Sequence, residues 1–187
     1  MPTTFESEVK LACDDLGRLH NAGFELTLVE KRHFEDNWLL DSADQMLLKK
    51  GATLRIRSVD GNGWITYKGE VHDRDSLVKI REEIEADTSE PARLIQVFER
   101  LGFRRAFRYQ KYRTTYALTV EGNTLQVVFD ETPMGHFIEI EGEPKSITVL
   151  LEAAGFSAGE IVKESYPELQ ASRCKQRGVP LEDLVFG

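Results

Sequence analysis

Cysteine, excess basic charge and long apolar runs are scarce in this chain, and each shortage argues against a class of protein. The two cysteines among its 187 residues, Cys13 and Cys174, lie far apart and form no CxxC pair, so neither a disulfide framework nor a cysteine metal site is expected. Acidic residues outnumber basic ones by 32 to 24, and the net charge of −8 argues against a generally basic surface for nucleic acid.

Membrane association is not expected either. No apolar run approaches the roughly 20 residues that span a bilayer, and the N-terminus lacks the basic and then apolar segments of a signal peptide. We therefore expect a cytoplasmic protein that binds neither nucleic acid nor membranes.

The chain is long enough for one domain with its own core, and no linker or low-complexity segment divides it, so residues 1–187 are predicted to form a single domain.

Hairpin signals dominate the predicted elements. Asp60-Gly61-Asn62-Gly63 separates two predicted strands, and Glu121-Gly122-Asn123 separates another pair. Strands are predicted at 3–12, 25–38, 53–59, 64–68, 76–86, 104–119, 124–130 and 137–141, and helical segments at 13–22, 43–50, 91–101, 145–154 and 159–178, the last broken or restarted at Pro167. This succession predicts an α+β fold with a mainly antiparallel sheet of about eight strands, and closure of that sheet into a barrel would remove its exposed edges. The C-terminal helices, from about residue 145 onward, are expected to pack outside the barrel or at one of its mouths.

What the sequence does contain is charge at alternate positions. Glu6, Glu8 and Lys10 recur at every second residue, and the apolar Val9 and Leu11 follow the opposite phase. Because side chains of a strand alternate between its faces, one face of this segment is ionic. For one strand alone, a face that simply meets water explains the pattern well. The pattern returns at Arg55/Arg57, Lys79/Arg81/Glu83/Glu85, Lys111/Arg113, Asp130 and Glu139/Glu141. This repetition favours a charged face that lines the inside of a barrel or a deep groove, while helices cover the apolar outer face of the sheet.

A charged interior is costly without ligands, because burying one ion costs several kcal/mol unless partners compensate. One set of side chains consists of carboxylates, which suit hard divalent cations such as Mg²⁺ or Mn²⁺. The carboxylates are Glu6, Glu8, Glu83, Glu85, Asp130, Glu139 and Glu141. The other set is basic and suits phosphate oxygens. The basic residues are Lys10, Arg55, Arg57, Lys68, Arg81, Lys111 and Arg113. A metal–triphosphate complex would satisfy both sets.

The ordered set of motifs resembles the CYTH superfamily, the triphosphate tunnel metalloenzymes, which includes class IV adenylate cyclases, thiamine triphosphatases and inorganic tripolyphosphatases. The resemblance covers most of residues 5–142 and rests on Glu6-x-Glu8-x-Lys10, Arg55-x-Arg57, Thr66-x-Lys68, Arg81-x-Glu83-x-Glu85, Lys111-x-Arg113, Asp130 and Glu139-x-Glu141. It implies a closed eight-stranded antiparallel β-barrel that forms a tunnel with helices packed outside, with acidic residues on metal and basic residues on triphosphate. One departure is visible, since many members have an aromatic pair where Leu39 and Leu40 precede Asp41.

The resemblance also implies roles for single residues. Metal ligands are expected at Glu6, Glu8, Asp130, Glu139 and Glu141. The phosphate cradle is expected at Lys10, Arg55, Arg57, Lys68, Arg81, Lys111 and Arg113. Glu83 and Glu85 are expected to support these sets. Glu6, Glu8, Lys10 and Lys111 are expected to act directly in catalysis.

Two reactions fit such a lining. Attack of water on the terminal phosphorus would release orthophosphate, and attack of a ribose 3′-hydroxyl on the α-phosphorus of ATP would give cyclic AMP and pyrophosphate. We expect a Mg²⁺- or Mn²⁺-dependent phosphohydrolase acting on inorganic tripolyphosphate, thiamine triphosphate or a nucleoside triphosphate. A class IV adenylate cyclase is the alternative, and a non-catalytic polyphosphate- or nucleotide-binding module is the second alternative. The apolar residues of the C-terminal segment are expected to close one tunnel mouth or to join two copies in a homodimer.

Overall fold

Eight antiparallel strands close into a barrel in the computed structural model, which describes residues 4–73 and 76–187. The order around the barrel is β1-β5-β4-β3-β2-β6-β7-β8, so the first strand pairs with both the fifth and the last. The strands are β1 (Thr4–Ala12), β2 (Thr27–Ser42), β3 (Thr53–Val59), β4 (Asn62–Lys68), β5 (Lys79–Thr88), β6 (Phe103–Val120), β7 (Asn123–Thr132) and β8 (Gly135–Glu141). The predicted fold class is thereby confirmed.

Five short α-helices lie around this barrel in the described part of the chain. They are α1 (Gly17–Asn21), α2 (Met46–Lys49), α3 (Pro91–Arg100), α4 (Pro144–Ala153) and α5 (Tyr166–Arg177). A 3-10 turn at Ala158–Glu160 and α5 replace the helix predicted at 159–178. The restart near Pro167 follows from a capping box, in which Ser165 and Glu168 satisfy each other's backbone N–H groups just before the first turn. None of the described helices is long and apolar enough to cross a membrane.

Two tight turns set the register of the hairpins. Asp60 and Gly61 link β3 to β4 with φ angles of 49° and 87°, and Glu121 and Gly122 link β6 to β7 with φ angles of 48° and 83°. Positive φ at both central residues is the geometry that suits the twist of a two-residue hairpin. The connections predicted from these two sequences are therefore present, and the one before β4 is two residues shorter than the sequence alone indicated, because β4 begins at Asn62.

The apolar phase of the strands faces outward against helices. Val9 and Leu11 of β1 pack with Ile138 of β8 and with Ile147 and Leu150 of α4, and all five are at most 1% exposed. A second cluster joins strands β2 and β3 to helices α2 and α3 through Leu40, Leu47, Ala52, Leu54, Ile56 and Ile95. Since helices cover much of the outer face, the charged phase of the strands turns into the barrel.

The C-terminal tail ends against β6. The backbone N–H of Leu184 donates to the carbonyl of Arg108, and the N–H of Gln110 donates to the carbonyl of Leu184 at 2.8 Å. Leu184 also joins a third apolar cluster, with Phe107, Tyr109, Phe137 and Tyr166. This cluster fastens α5 and the tail to one side of the barrel.

Candidate functional site

A cavity of about 290 Å³ lies within the barrel, and its walls are mostly charged. All of the predicted site residues except Asp130 line it, and Lys79 lines it as well. The acidic lining residues are Glu6, Glu8, Glu83, Glu85, Glu139 and Glu141. The basic ones are Lys10, Arg55, Arg57, Lys68, Lys79, Arg81, Lys111 and Arg113. The period-two pattern thus brings residues from distant parts of the chain to one place.

Three carboxylates form a candidate cation site. Glu6, Glu8 and Glu141 each offer an oxygen atom, and these three atoms lie within 4.8 Å of one another. The register between β1 and β8, which sets Glu8 opposite Glu141, creates this proximity. Carboxylate oxygens are the donors that Mg²⁺ and Mn²⁺ prefer, so the residues fit such an ion.

The carboxyl groups around this cluster do not share one protonation state. Burial opposes ionisation of Glu6, but a hydrogen bond with Glu83 and the charge of Lys68 lower its pKa to about 2. Burial and the hydrogen bond with Glu6 raise the pKa of Glu83 to about 7. Burial and the negative charge of Glu6 raise the pKa of Glu141 to about 8. At neutral pH Glu141 therefore holds a proton that a bound cation has to displace.

Basic side chains are paired across the same strands. Lys68 Nζ lies 2.6 Å from carboxylate oxygens of both Glu6 and Glu83, and Arg81 Nη2 donates to Glu8 at 3.0 Å. The registers Glu6↔Arg81 and Lys68↔Glu83 place Arg81 near Glu8 and Lys68 near Glu83 on neighbouring strands. The pair between Lys68 and Glu6 instead joins β4 to β1 across β5. Two of the three candidate cation ligands are consequently engaged by a lysine or an arginine.

Three arginines retain an unused donor. Arg57 Nη2 donates to Glu85 at 3.0 Å, and Arg55 Nη2 donates to Thr66 at 3.1 Å. The Nε atoms of Arg55, Arg57 and Arg81 are buried and have no hydrogen-bond partner in the described parts of the chain. A buried donor without a partner is rare in folded proteins, and an arginine that lines a cavity can offer its N–H groups to phosphate oxygens.

Asp130 lies behind the cavity wall. It is 0% exposed, and its carboxylate accepts hydrogen bonds from Lys111 Nζ at 2.8 Å, from Arg113 Nε and Nη2 at 2.7 Å each, and from the Tyr166 hydroxyl at 2.8 Å. Its assignment as a metal ligand stays a prediction. In the arrangement described, its oxygens face Lys111 and Arg113.

Glu139 has a similar set of partners. Arg113 Nη2 donates to it at 2.6 Å, and Lys10 Nζ lies 3.5 Å away. Burial opposes its ionisation, but Lys10, Arg113 and Lys111 hold its pKa well below the usual value. Glu139 is therefore an ionised counter-charge to the basic side of the cavity, and its metal-ligand role also stays a prediction.

Several residues of the site escaped the sequence analysis. Glu35 and Asn37 of β2 are 0% exposed, and Glu35 lies 3.1 Å from Arg57 Nη1. The signal was the alternation of His33, Glu35 and Asn37, which is hard to detect because the outward Asp36 between them is also acidic. Tyr166 belongs to the C-terminal segment expected at a tunnel mouth or in a dimer contact, but its individual position in the site depends on the packing of α5.

The start of α5 forms part of the cavity wall. Ser165, Tyr166 and Pro167 line the cavity, Lys10 Nζ lies 4.3 Å from the centre of the Tyr166 ring, and Lys10 also donates to the carbonyl of Glu164. The C-terminal segment therefore reaches the site itself. A homodimer through this segment stays a prediction.

The family of the chain follows from comparison with known proteins. A family model described as the CYTH domain matches residues 4–162. The chain is 29% identical over 180 residues to a protein of Methanocaldococcus jannaschii named "Putative adenylate cyclase", and the match covers 88% of this chain and 98% of that relative.

Two solved structures show the same fold. One, from Vibrio parahaemolyticus and described as a "putative adenylate cyclase", has a TM-score of 0.70 at 16% identity and covers 90% of this chain and 98% of its own. Another, from Hippeastrum, is described as a "putative adenylyl cyclase" with a dominant triphosphatase activity, and it has a TM-score of 0.61 at 22% identity over 95% of this chain and 99% of its own. At these identities the likeness concerns the fold, and the family rests on the match over residues 4–162. The chain belongs to the CYTH domain family.

Proposed function

We propose that this protein is a metal-dependent phosphohydrolase that acts on triphosphate-containing substrates. The observation that carries the proposal is the pairing, in one cavity, of a three-carboxylate cluster with buried arginine Nε donors that have no hydrogen-bond partner among the described residues. Those two features need ligands of opposite charge, and a triphosphate with a divalent cation supplies both.

The protein's own side chains would bind and orient the substrate. Arg55, Arg57 and Arg81 would donate their unused N–H groups to phosphate oxygens, and Lys111 and Arg113 would balance charge on the leaving phosphate. Mg²⁺ or Mn²⁺ held by the cluster of Glu6, Glu8 and Glu141 would neutralise further phosphate charge when bound. Phosphoryl transfer requires little beyond such positioning and charge balance.

Hydrolysis is favoured over cyclisation by the remaining lining of the cavity. The two aromatic lining residues, Tyr109 and Tyr166, pack against each other with ring centroids 5.7 Å apart, and Tyr109 also stacks on Phe107. Their faces are thus partly used within the protein, whereas cyclisation has to hold an adenine and a ribose. Water is a sufficient acceptor for hydrolysis.

A class IV adenylate cyclase is the second candidate, and the name of the Methanocaldococcus jannaschii relative favours it. Both reactions use the same charged lining. A non-catalytic polyphosphate- or nucleotide-binding module is the third candidate, and the retained three-carboxylate cluster argues against it.

One series of incubations decides between these functions. The purified protein is given Mg²⁺ or Mn²⁺ with tripolyphosphate, thiamine triphosphate or ATP, and orthophosphate and cyclic AMP are measured. We expect orthophosphate from at least one of these substrates and no cyclic AMP. Cyclic AMP from ATP would support the cyclase, and tight binding without turnover would support the binding module.

A further inference from the structure

Glu35 is a buried carboxylate at which several basic side chains converge. It lies on β2, which is four strands away from β1 in both directions around the barrel, and it is 0% exposed. Its Oε1 atom lies 3.1 Å from Arg57 Nη1 and 3.9 Å from Arg113 Nε, and its Oε2 atom lies 3.5 Å from Lys111 Nζ. Three side chains of the predicted phosphate cradle, from strands β3 and β6, therefore share one counter-charge.

The charge of Glu35 is maintained by these neighbours. Burial opposes its ionisation, but the positive charges of Lys111 and Arg113, with further contributions from His33 and Arg57, hold its pKa well below the usual value. Its own strand also fixes the group, because Asn37 Nδ2 donates to Oε2 at 3.4 Å and His33 Nε2 lies 3.5 Å from Oε1. Glu35 is thus a fixed anion within the protein.

Glu35 does not itself line the cavity, whereas Arg57, Lys111 and Arg113 do. Without a shared anion, these cations would repel one another and lose their common orientation toward the cavity. Asp130 supports Lys111 and Arg113 from β7, and Glu85 supports Arg57 from β5. Glu35 is the group that contacts all three.

We propose that Glu35 is a positioning residue that holds Arg57, Lys111 and Arg113 in the arrangement that receives the triphosphate. This role rests on the proposed phosphohydrolase function. Glu35 makes the cradle rigid and at the same time lowers its net positive charge. Glu35 should therefore increase kcat and at the same time reduce the affinity for the triphosphate anion.

The test is Glu35→Gln, which keeps the shape of the side chain and removes its charge. We expect kcat for tripolyphosphate to fall at least tenfold, because the three basic side chains lose their fixed orientation. We also expect tripolyphosphate alone, titrated calorimetrically in the presence of a chelator, to bind at least threefold more tightly, because a repelling charge is gone. If Glu35 only stabilised the fold, Glu35→Gln would reduce the fraction of protein molecules that bind tripolyphosphate, and the Kd of the remaining molecules would be unchanged.

The matched control is Asp36→Asn, at the neighbouring residue of the same strand. Asp36 turns to the opposite face and pairs with Arg108 at 2.8 Å, so this variant loses an ion pair outside the cavity. We expect its kcat and its Kd to equal those of the unchanged protein. Glu35→Asp, which keeps the charge on a shorter side chain, is expected to keep the Kd within twofold and to lose at least threefold in kcat, less than Glu35→Gln loses.

Unchanged kcat in Glu35→Gln would overturn the proposal, and so would weaker binding or fewer sites at unchanged Kd. If Glu35→Gln does not fold, Glu35→Asp decides, and an unchanged kcat in that variant overturns the proposal. Failure of both variants to fold would assign Glu35 to the scaffold and overturn it too. An unchanged protein that neither binds tripolyphosphate nor releases phosphate would refute the proposed function itself, which is a separate outcome.

Discussion

At the scale of single residues, the same carboxylates serve two partners. Glu6 and Glu8 pair with Lys68 and Arg81 within the protein, although they also belong to the cluster suited to a cation. A cation bound by these carboxylates would release the two basic groups, which would then be available to phosphate. Binding of the cation and of the triphosphate should therefore be mutually favourable.

Replacing Glu141 with Gln tests the candidate cation site, because the substitution removes one of its three carboxylates and keeps the shape of the side chain. Since the pKa of Glu141 is about 8 in the folded protein and about 4.5 in the unfolded chain, folding at pH 7 requires this carboxylate to take up a proton, and the neutral glutamine, which needs none, should raise thermal stability at that pH. It should weaken Mn²⁺ binding and reduce phosphate release by about 100-fold or more, because one of three ligands is lost. Calorimetric titration, phosphate assays and thermal melts measure these effects. Preserved turnover would contradict the metal assignment.

Glu8→Gln should abolish turnover to a similar degree while removing the 3.0 Å ion pair with Arg81. Its melting temperature should therefore be lower than that of Glu141→Gln, since an arginine inside the barrel loses a charged partner. Thermal melts of both variants in a chelator give this comparison. Equal melting temperatures would indicate that the pair with Arg81 contributes little.

The raised pKa of Glu141 also predicts a pH dependence of cation binding. Because the cation requires the ionised carboxylate, affinity should rise with pH and level off above the pKa of about 8. Displacing this one proton should make binding at pH 6 weaker than the plateau by about 100-fold. Mn²⁺ titrations between pH 6 and pH 9 measure the slope, and Glu141→Gln should flatten it. A flat profile in the unchanged protein would contradict this protonation state.

The same group makes the metal-free protein less stable at high pH. Its folded-state pKa of about 8 lies above the ordinary value of 4.5, so its stabilising contribution is complete below about pH 4.5 and is lost as the pH rises through 8. A saturating divalent cation should oppose this loss, since it replaces the proton.

Single site residues were predictable wherever charge recurs with period two and the other phase is apolar. Glu6, Lys10 and Glu139 meet this condition, and all three line the cavity. Glu35 does not meet it, because the acidic Asp36 beside it faces outward. The distinction between lining the cavity and lying behind it, as Asp130 does, depends on how far each strand tilts and on its neighbours, which no local pattern records.

At the scale of elements, α5 and the tail complete one side of the site. Tyr166 connects them to the charged interior, because its hydroxyl donates to Asp130 while its ring centre lies 4.3 Å from Lys10 Nζ and 5.6 Å from Lys111 Nζ.

The element boundaries show how much of the fold local sequence can predict. The hairpin turns were predictable from Asp-Gly and Glu-Gly pairs that adopt positive φ. Helix α2 is shorter than predicted, because the Asp41 carboxylate accepts from the N–H groups of Leu47 and Leu48.

Tyr166→Phe isolates the link between α5 and the interior. The ring remains, and only the hydrogen bond to Asp130 is lost. A hydrogen bond to a charged group contributes about 1.5 to 3 kcal/mol, so we expect unfolding by urea at a lower midpoint with an unchanged slope. A midpoint equal to that of the unchanged protein would show that water replaces the hydroxyl at Asp130.

At the scale of the whole molecule, charge is distributed unevenly. The chain carries a net charge of −8, whereas eight basic and six acidic side chains line the cavity. The lining therefore has a formal excess of two positive charges, whereas the rest of the chain, with 16 basic and 26 acidic residues, carries −10. This arrangement favours small anions that enter the barrel over polyanions that bind across its surface.

The two sets of interior charges predict cooperative stabilisation by ligands. Tripolyphosphate and Mg²⁺ together should raise the melting temperature by more than the two separate increases added, since each ligand releases side chains that the other binds. At 100 times its Kd, a ligand stabilises by about 2.7 kcal/mol, which corresponds to roughly 5 to 10 °C for a chain of this size. Glu141→Gln should keep the increase caused by tripolyphosphate and lose the extra increase. Simple addition in the unchanged protein would contradict the coupling.

Because β1 pairs with β8, the barrel cannot close during synthesis until the last strand has been made. Glu8 of β1 stands opposite Glu141 of β8, so this strand cannot pair fully until almost the whole barrel has left the ribosome. At about 5 to 20 residues per second, that interval is on the order of ten seconds. Glu6 and Glu8 can meet Arg81 and Lys79 of β5 before then. Glu141 is the last of the three carboxylates to be synthesised, so no shorter nascent chain carries the assembled candidate cation site.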